Sequence, residues 1–406
     1  MGPPEHFGGP DIRVVIVDDS AVVRRLVSEV VQRQQGMVLA GTADNGREAL
    51  RVVERAHPDV VVLDVEMPVM DGLHALGELK RRWPKLAVVM FSTLTERGAA
   101  VTLEALARGA DDYLTKPTGV GGPAGAFQAL ERSLVPLLRA WGAISRRPLR
   151  SPAPSPPAGT PAGGSAGAFH VPAPSLARGA PPPAKPVPTR RPALARTRVE
   201  AVVMGCSTGG PNALGVVVPS IPADIGVPVL VVQHMPPTFT KLLAQRLDGL
   251  SPLVVQEVEA GMPVQAGHLY IARGGSHMAV ARSQRQVVIA LDDGPPENSC
   301  KPSVDVLFRS AAATWGAGVL GVVLTGMGQD GRAGSDVITS AGGTVVAQDE
   351  ASSVVWGMPG AVVRQGLASE VLPLSDVAAT ITRYVHPPHG ILAGKGLATT
   401  GDGGSR

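Results

Sequence analysis

Residues 199–212 read Val-Glu-Ala-Val-Val-Met-Gly-Cys-Ser-Thr-Gly-Gly-Pro-Asn, an apolar run that stops at a turn of small residues carrying one serine, Ser207. The apolar residues predict a buried strand that ends near Gly205, and Pro211 suits the first turn of a helix beginning about Gly210. Ser207 is then lifted out at the carboxyl edge of a sheet. The turn fits G-x-S-x-G, in which amide groups at the helix start stabilise an oxyanion. Taken alone, the turn is equally compatible with a phosphate-binding loop or with an ordinary loop that joins a strand to a helix.

Composition sets limits on the class of protein. The length of 406 residues predicts two or three domains, and 44% hydrophobic residues is enough to build their cores. No apolar run reaches the ~18 residues of a membrane span and the first ten residues lack a signal-peptide pattern, so we expect a cytoplasmic protein without membrane insertion. The two cysteines, Cys206 and Cys300, cannot form a disulfide framework or a four-thiolate metal site. We interpret Cys206 as a small packing residue.

Basic residues are concentrated in one proline-rich segment. Residues 145–198 contain nine Lys or Arg and no Asp or Glu, so a formal net charge of +3 leaves −6 for the rest of the chain. The folded parts are therefore acidic, which disfavours a nucleic-acid-binding surface. Fourteen prolines between Pro148 and Pro192 leave too little periodicity for a core. We predict a tether over 141–198, with a polyanion-binding arm as the alternative, and a disordered tail over 387–406.

From residue 11 to about 140, apolar runs alternate with amphipathic stretches, which predicts a parallel sheet with helices on both faces. The candidate strands are Arg13–Val17, Val38–Thr42, Val60–Leu63, Ala87–Phe91 and Asp112–Leu114. Their ends collect polar residues, namely Asp18, Asp19, Asp64, Ser92 and Lys116. Three carboxylates at one sheet edge would repel one another unless a divalent cation lay among them, and oxygen ligands favour Mg²⁺. Alternatively, Asp18 and Asp19 only cap the next helix.

Four motifs occur in this half: Val14-Val-Ile-Val-Asp-Asp-Ser20, Leu63-Asp-Val-Glu-Met-Pro-Val-Met-Asp-Gly-Leu73, Met90-Phe-Ser-Thr-Leu94 and Tyr113-Leu-Thr-Lys-Pro117. Together they resemble the response-regulator receiver domain, which implies a flavodoxin-like fold over 11–140. The resemblance implies that Asp64 is the phosphoacceptor, and that Asp18, Asp19 and Asp64 hold Mg²⁺ with help from the Glu66 carbonyl. It also implies that Ser92 is the switch hydroxyl, that Lys116 pairs with the phosphoryl group and that Tyr113 is the aromatic switch. The Lys116–Pro117 peptide is implied to be cis.

After residue 198 the alternation resumes and predicts a second doubly wound, Rossmann-like parallel-sheet domain over 199–386. An antiparallel hairpin is predicted within it, with strands His277–Ala281 and Gln286–Leu291 around a four-residue loop. The other predicted strands and helices are Ala201–Met204, Pro211–Val218, Val229–Gln233, Phe239–Leu247, Ser303–Thr314, Val319–Leu324, Arg332–Ser340, Thr344–Ala347 and a strand with a helix within Val371–Val385.

Three polar residues follow strands of this second sheet. His234 comes just after Val229–Gln233, and Asp330 lies in the glycine-rich loop after Val319–Leu324. With Ser207 they supply a nucleophile, a base and a carboxylate that orients the base. Individually, His234 could start a helix and Asp330 could cap one. The chain order Ser, His, Asp differs from that of α/β-hydrolases and argues against that fold.

Six motifs extend the pattern: Gly205-Cys-Ser-Thr-Gly-Gly-Pro211, Gln233-His-Met-Pro236, Tyr270-Ile-Ala-Arg-Gly-Gly-Ser-His-Met278, Cys300-Lys-Pro-Ser-Val-Asp-Val-Leu-Phe308, Leu324-Thr-Gly-Met-Gly-Gln-Asp-Gly331 and Gln348-Asp-Glu-Ala-Ser-Ser-Val-Val-Trp-Gly-Met-Pro359. They resemble the chemotaxis methylesterase family CheB. The resemblance implies hydrolysis of glutamate methyl esters on chemoreceptors without a cofactor, deamidation of receptor glutamines in some members, and a chemotaxis histidine kinase as phosphodonor. It implies Ser207 as nucleophile, His234 as base and Asp330 as its orienter. Thr208 and Met327 are implied to line the site, with the Met327 amide as an oxyanion donor.

The order of the two halves also implies regulation. We expect the unphosphorylated receiver to lie over Ser207 and phosphorylation of Asp64 to favour an open arrangement. The rival interpretation is a non-catalytic output module whose Ser207 turn binds a phosphate or a partner. A third, a DNA-binding regulator, lacks a helix-turn-helix pattern.

Overall fold

The computed structural model describes residues 11–117, 122–146 and 198–387. Most of the predicted tether and nearly all of the predicted tail lie outside the described residues. Each half of the chain contains one parallel sheet covered by helices, which confirms the two predicted α/β folds. None of the helices in the described ranges combines the length and the apolar character that crossing a membrane requires.

The first sheet has the strand order β2-β1-β3-β4-β5 with every pair parallel, the flavodoxin-like order. Its strands begin and end within two residues of the predictions, at β1 Ile12–Val17, β2 Met37–Ala43, β3 Val60–Asp64, β4 Ala87–Ser92 and β5 Asp112–Thr115. The central strands β3 and β4 are buried throughout because helices cover both faces.

Five helices surround this sheet: α1 Ala21–Gln32, α2 Gly46–Ala56, α3 Gly72–Arg82, α4 Glu96–Ala107 and α5 Gly122–Ser145. The first four begin after a residue whose side chain accepts a backbone amide, as polar N-caps do. For α1 this residue is Ser20, not Asp18 or Asp19. The alternative in which those two carboxylates merely cap α1 is therefore not what the structure shows.

The second sheet has seven parallel strands in the order β14-β13-β12-β6-β7-β9-β8. Their bounds are β6 Ala201–Cys206, β7 Val229–Gln233, β8 Val254–Glu257, β9 His268–Ile271, β12 Val319–Val323, β13 Thr344–Gln348 and β14 Glu370–Leu372. The sequence did not predict β8 and β9, which are only four residues long and lie at one edge of the sheet.

The predicted hairpin is formed by β10 His277–Ser283 and β11 Gln286–Asp292. Its loop has two residues rather than the predicted four, because Ser283 pairs with Gln286 and Gln284 adopts a φ of 53°. The helices of this half are α6 Gly210–Val217, α7 Phe239–Asp248, α8 Val304–Trp315, α9 Arg332–Ser340, α10 Met358–Arg364 and α11 Val377–Val385.

A cis peptide bond precedes Pro302 in the described chain, and the Lys116–Pro117 bond is not cis. The expectation of a cis bond before Pro117 was therefore wrong.

The two halves contact each other through α4 and β5 of the first and α6 and α7 of the second. The ring of Tyr113 stacks on that of Phe239, with centroids 5.0 Å apart. Arg246 on α7 donates a hydrogen bond from Nη1 to the carbonyl oxygen of Leu103 on α4, at 3.1 Å. The first half therefore packs beside the helices that follow β6 and β7.

Candidate active site

Strands β6 and β7 bring Ser207 and His234 to adjacent positions at the carboxyl edge of the second sheet. Cys206 pairs with Gln233 at the last register position, so the next residue of each strand leaves the sheet at the same point. The buried Gln233 side chain donates from Nε2 to the carbonyl oxygens of Ser207 at 3.0 Å and His234 at 3.2 Å. One amide thereby fixes both loops, a role of Gln233 that the sequence pattern did not predict.

The Ser207 turn packs closely against the loop that follows β12. The Ser207 amide donates to the Thr325 carbonyl oxygen at 3.0 Å, and Thr325 Oγ1 donates to the Thr208 carbonyl oxygen at 3.0 Å. A Cβ added at Gly326 would lie 2.9 Å from Ser207 Cβ, so only glycine allows this approach. Thr208 and Met327, both half-buried, therefore lie on the two loops that meet at Ser207.

Asp330 is hydrogen-bonded to His234, with 2.8 Å between Nε2 and Oδ2. Its carboxylate lies at the N-terminus of α8, where backbone amides point at the anion. Five further donors contact it at 2.8 to 3.1 Å: the Val304, Asp305 and Gly331 amides, Ser303 Oγ and Asn298 Nδ2. The carboxylate orientation is fixed by these contacts, and it fixes the imidazole in turn.

The electrostatics follow from this arrangement. Burial favours the neutral form of Asp330, but the His234 hydrogen bond and the surrounding amides outweigh it and lower the pKa to about 2. Burial likewise disfavours the charged imidazole, yet the hydrogen bond to Asp330 and the contact with Cys300 raise the pKa of His234 to about 9. His234 and Asp330 therefore form an ion pair at neutral pH. The imidazolium must release one proton to become neutral before it can act as a base.

A tight turn before α8 completes the surroundings of this pair. Asn298 and Ser299 have φ of 52° and 63°, and the backbones of Glu297 and Cys300 hydrogen-bond each other in both directions, which are the features of a type I′ turn. Arg309 holds Glu297 with two hydrogen bonds of 2.7 and 2.6 Å. The turn delivers Asn298 to Asp330 and Cys300 to His234. The sequence pattern did not predict this turn, although Asn-Ser is compatible with it.

The first sheet places a second cluster at its own carboxyl edge. Carboxylate oxygens of Asp18, Asp19 and Asp64 lie within 4.8 Å of one another, and Lys116 Nζ is 2.8 Å from both Asp18 and Asp64. A cavity of ≈ 200 Å³ opens there, lined by Asp19, Asp64, Val65, Glu66, Thr93 and Lys116. Oxygen-only donors of this kind fit Mg²⁺. Burial, together with the nearby charge of Asp18, raises the pKa of Asp64 to about 6 against the opposing effect of Lys116.

The two predicted switch residues are turned away from this cluster. The Ser92 hydroxyl, fully buried, donates to the carbonyl oxygens of Gly98 at 3.1 Å and Thr93 at 3.2 Å, at the beginning of α4. The Tyr113 ring stacks on Phe239 of the other half. The structure therefore places Asp18, Asp19, Asp64 and Lys116 together, with Ser92 bonded to the loop beside them.

The first half also contacts the Ser207 turn directly. The buried Asp112 carboxylate, at the beginning of β5, accepts a hydrogen bond from the Gly209 amide at 3.1 Å. Asn212 Nδ2 donates to the carbonyl oxygens of Ala110 at 3.1 Å and Asp111 at 3.3 Å. Gly209 and Asn212 follow Ser207 by two and five residues, so the contact lies beside the candidate nucleophile.

Comparisons with known proteins cover both halves. The CheB methylesterase family model matches residues 202–381, and the response regulator receiver domain model matches residues 14–121. A protein-glutamate methylesterase/protein-glutamine glutaminase of Nocardioides sp. is 43% identical over 374 residues, covering 92% of this chain and 95% of that protein. A second, from Caulobacter vibrioides, is 46% identical over 371 residues, covering 91% and 98%. The solved Thermotoga maritima CheB methylesterase catalytic domain is 40% identical, covering 46% of this chain and 99% of that one, with a TM-score of 0.45.

Proposed function

The chain belongs to the CheB methylesterase family, and we propose that it hydrolyses glutamate methyl esters on chemoreceptors when its receiver domain is phosphorylated. The observation that carries this proposal is the placement of Ser207 and His234 at adjacent strand ends of one sheet edge, with His234 bonded to Asp330 at 2.8 Å. We assign residues 11–140 to the receiver, 141–198 to the tether, 199–386 to the hydrolase and 387–406 to a tail. The names of the relatives support the substrate class.

The reaction is a two-step acyl transfer. Neutral His234 takes the Ser207 hydroxyl proton while Ser207 Oγ attacks the ester carbonyl carbon, and the imidazolium then gives that proton to the departing methoxide as methanol. Water, deprotonated by His234, hydrolyses the acyl-enzyme and releases free glutamate. Asp330 orients the imidazole and stabilises its charge. Amides near Ser207, including that of Met327, are the donors available to the oxyanion. A glutamine amide follows the same steps with ammonia as the leaving group.

The receiver site controls this reaction. Asp64 accepts a phosphoryl group from a histidine kinase, and Asp18, Asp19 and Asp64 would hold Mg²⁺, which when bound neutralises the charge of phosphoryl oxygens. Lys116 pairs with the phosphoryl group, and the Ser92 hydroxyl leaves the Gly98 carbonyl to contact it. Tyr113 then leaves Phe239. The contacts of Asp112 with Gly209 and of Asn212 with the loop before β5 support a receiver that covers the Ser207 turn before phosphorylation.

The test is methanol release from methylated chemoreceptors by the phosphorylated full-length protein. We expect Ser207→Ala to lower turnover by about 10⁴-fold or more, because the acyl-enzyme cannot form. Ser220→Ala, at an exposed position three residues after the end of α6, is the matched control and should retain wild-type turnover. Near-normal methanol release by Ser207→Ala would refute the assignment.

A fluorophosphonate probe separates the hydrolase from the rival output module. We expect the probe to label Ser207 in the wild type and to label it much more slowly in His234→Ala, since the neutral imidazole activates the hydroxyl. Labelling of Ser207 that does not depend on His234 would favour the binding module.

A further inference from the structure

Cys300 contacts the candidate base, yet the acyl transfer uses no thiol. We propose that His234, Cys300 and Asp330 form a binding site for Zn²⁺ and that zinc bound there inhibits the hydrolase. The inhibitory part rests on the proposed function, whereas the metal site stands on the geometry alone. It is distinct from the Asp18, Asp19 and Asp64 cluster, which lies in the receiver.

The three side chains lie close enough together for one zinc ion to bind all of them after a small movement. One ligand atom of each, a ring nitrogen, a sulfur and a carboxylate oxygen, lies within 4.8 Å of the other two. Tetrahedral zinc bonds of about 2.0 to 2.3 Å place neighbouring ligand atoms roughly 3.3 to 3.8 Å apart, with the nitrogen and oxygen ligands at the short end of this range. The His234 Nε2 to Asp330 Oδ2 distance of 2.8 Å would have to widen by roughly half an ångström, which is a small movement.

The donor chemistry selects the metal. A thiol, an imidazole and one carboxylate form a mixed sulfur, nitrogen and oxygen set, which favours Zn²⁺ over Mg²⁺. The receiver cluster offers oxygen atoms alone and favours the opposite choice. The cluster in the second sheet is therefore expected to bind Zn²⁺, and the cluster in the receiver sheet to bind Mg²⁺.

The ligands are also held in place by their neighbours. The type I′ turn and the Arg309–Glu297 pair position Cys300, while Ser303 and the α8 amides hold Asp330. Such outer contacts orient metal ligands and strengthen binding. Cys300 is a free, half-buried cysteine and the His234 side chain is 11% exposed, so an ion can reach the site from solvent and a water can fill the fourth position.

Zinc binding would block catalysis directly. The metal takes the imidazole nitrogen lone pair and the carboxylate oxygen, so His234 can no longer accept the Ser207 proton. The thiol proton and the imidazolium proton are released to solvent, because both ligands bind in their deprotonated forms.

The metal site is tested with Co²⁺, whose bonds to thiolate sulfur give a near-ultraviolet absorption band, in the full-length protein. We expect the band in the wild type, its loss in Cys300→Ser, and its retention in Cys206→Ser. Cys206 is a good control because it is the chain's only other cysteine and is fully buried. Asp64→Asn should also retain the band. A band that survives Cys300→Ser, or that is absent from the wild type, would overturn the proposal.

Inhibition is tested by titrating Zn²⁺ into the methanol-release assay. We expect the half-inhibitory concentration to rise at least about tenfold in Cys300→Ser, since a direct ligand is lost, and to stay unchanged in Asp64→Asn assayed without phosphorylation. A cobalt band without inhibition by Zn²⁺ would overturn the inhibitory role. A wild-type protein with the band but without hydrolase activity would instead count against the proposed function, so the two failures are distinguishable.

Discussion

Asp64 and Asp330 both lie at the carboxyl edge of a parallel sheet, yet their pKa values shift in opposite directions. Asp64 is the last residue of β3 and Asp330 lies in the loop between β12 and α9. Both are buried, with 3% and 1% of their surface exposed. The pKa of Asp64 rises to about 6, because burial and Asp18 outweigh Lys116, and that of Asp330 falls to about 2, because His234 and five other donors outweigh burial. The donors around each buried carboxylate, rather than burial itself, thus decide the direction of its pKa shift, and they hold Asp330 as a fixed charge at neutral pH.

The largest expected effect comes from replacing the fixed charge. Asp330→Asn should lower kcat by about 10⁴-fold, because the imidazole loses its orienting acceptor and takes the wrong tautomer. The pKa of His234, about 9 in the native arrangement, should fall toward its ordinary value. The pH profile of kcat/KM measures the pKa of His234. In the wild type, kcat/KM should rise with pH as the imidazolium loses its proton near pH 9. In Asp330→Asn, the midpoint of that rise should lie at a lower pH. A midpoint that stays in place would show that Asp330 does not set it.

The same substitution at both positions should change stability with opposite signs. The folded pKa of Asp330 lies below its unfolded value, so its ionisation stabilises the fold above pH 4 and that stabilisation is lost as pH falls toward 2. The folded pKa of Asp64 lies above its unfolded value, so its ionisation destabilises the fold above pH 6. At pH 7 without Mg²⁺, Asp330→Asn should lower the free energy of unfolding by about 2 kcal/mol. Asp64→Asn should raise it by about 2 kcal/mol.

Calorimetry measures this pair of effects, since each domain can give its own unfolding transition. The Asp330→Asn effect should shrink as pH approaches 2, and the Asp64→Asn effect should shrink below pH 6. Destabilisation by both variants at pH 7 would mean that the surrounding donors do not distinguish the two sites.

A smaller effect is expected when one donor is removed from Asp330. Asn298→Gly keeps the left-handed backbone, which glycine adopts freely, and deletes the amide that contacts Asp330 at 3.1 Å and Asp305 at 2.9 Å. Turnover should fall about tenfold, the value of one hydrogen bond to a charged group at an exposed position. Ser299→Gly, in the same turn, is the control and should retain activity. Equal losses in both variants would mean that the turn matters and the amide does not.

The sequence predicted the parts of both sites that lie directly after strands. Asp18, Asp64, Ser207 and His234 each follow a long apolar run, and parallel strands bring such ends together whatever the loops do. The donors around Asp330 were not predicted, because the Asn298 turn and the start of α8 reach the sheet edge through contacts distant in the chain. For the same reason β8 and β9 were missed, since each is short and is defined by its pairing rather than by its own pattern.

The smallest expected effect concerns the contact between the halves, through which the state of Asp64 would reach the Ser207 turn. Arg246→Ala deletes the 3.1 Å hydrogen bond to the Leu103 carbonyl oxygen, and neither residue belongs to either carboxylate cluster. A hydrogen bond to a neutral acceptor contributes about 1 kcal/mol of free energy. If the closed arrangement is inhibitory, losing this bond should raise the methanol-release rate of the unphosphorylated protein about fivefold. Phosphorylated protein should be unaffected. Lys241→Ala, at an exposed position on the same helix, is the matched control. Equal unphosphorylated rates in both variants would mean that this contact does not restrain the hydrolase, and the two carboxylate sites would then have to communicate through the other contacts between the halves, such as those of Asp112 with Gly209 and of Tyr113 with Phe239.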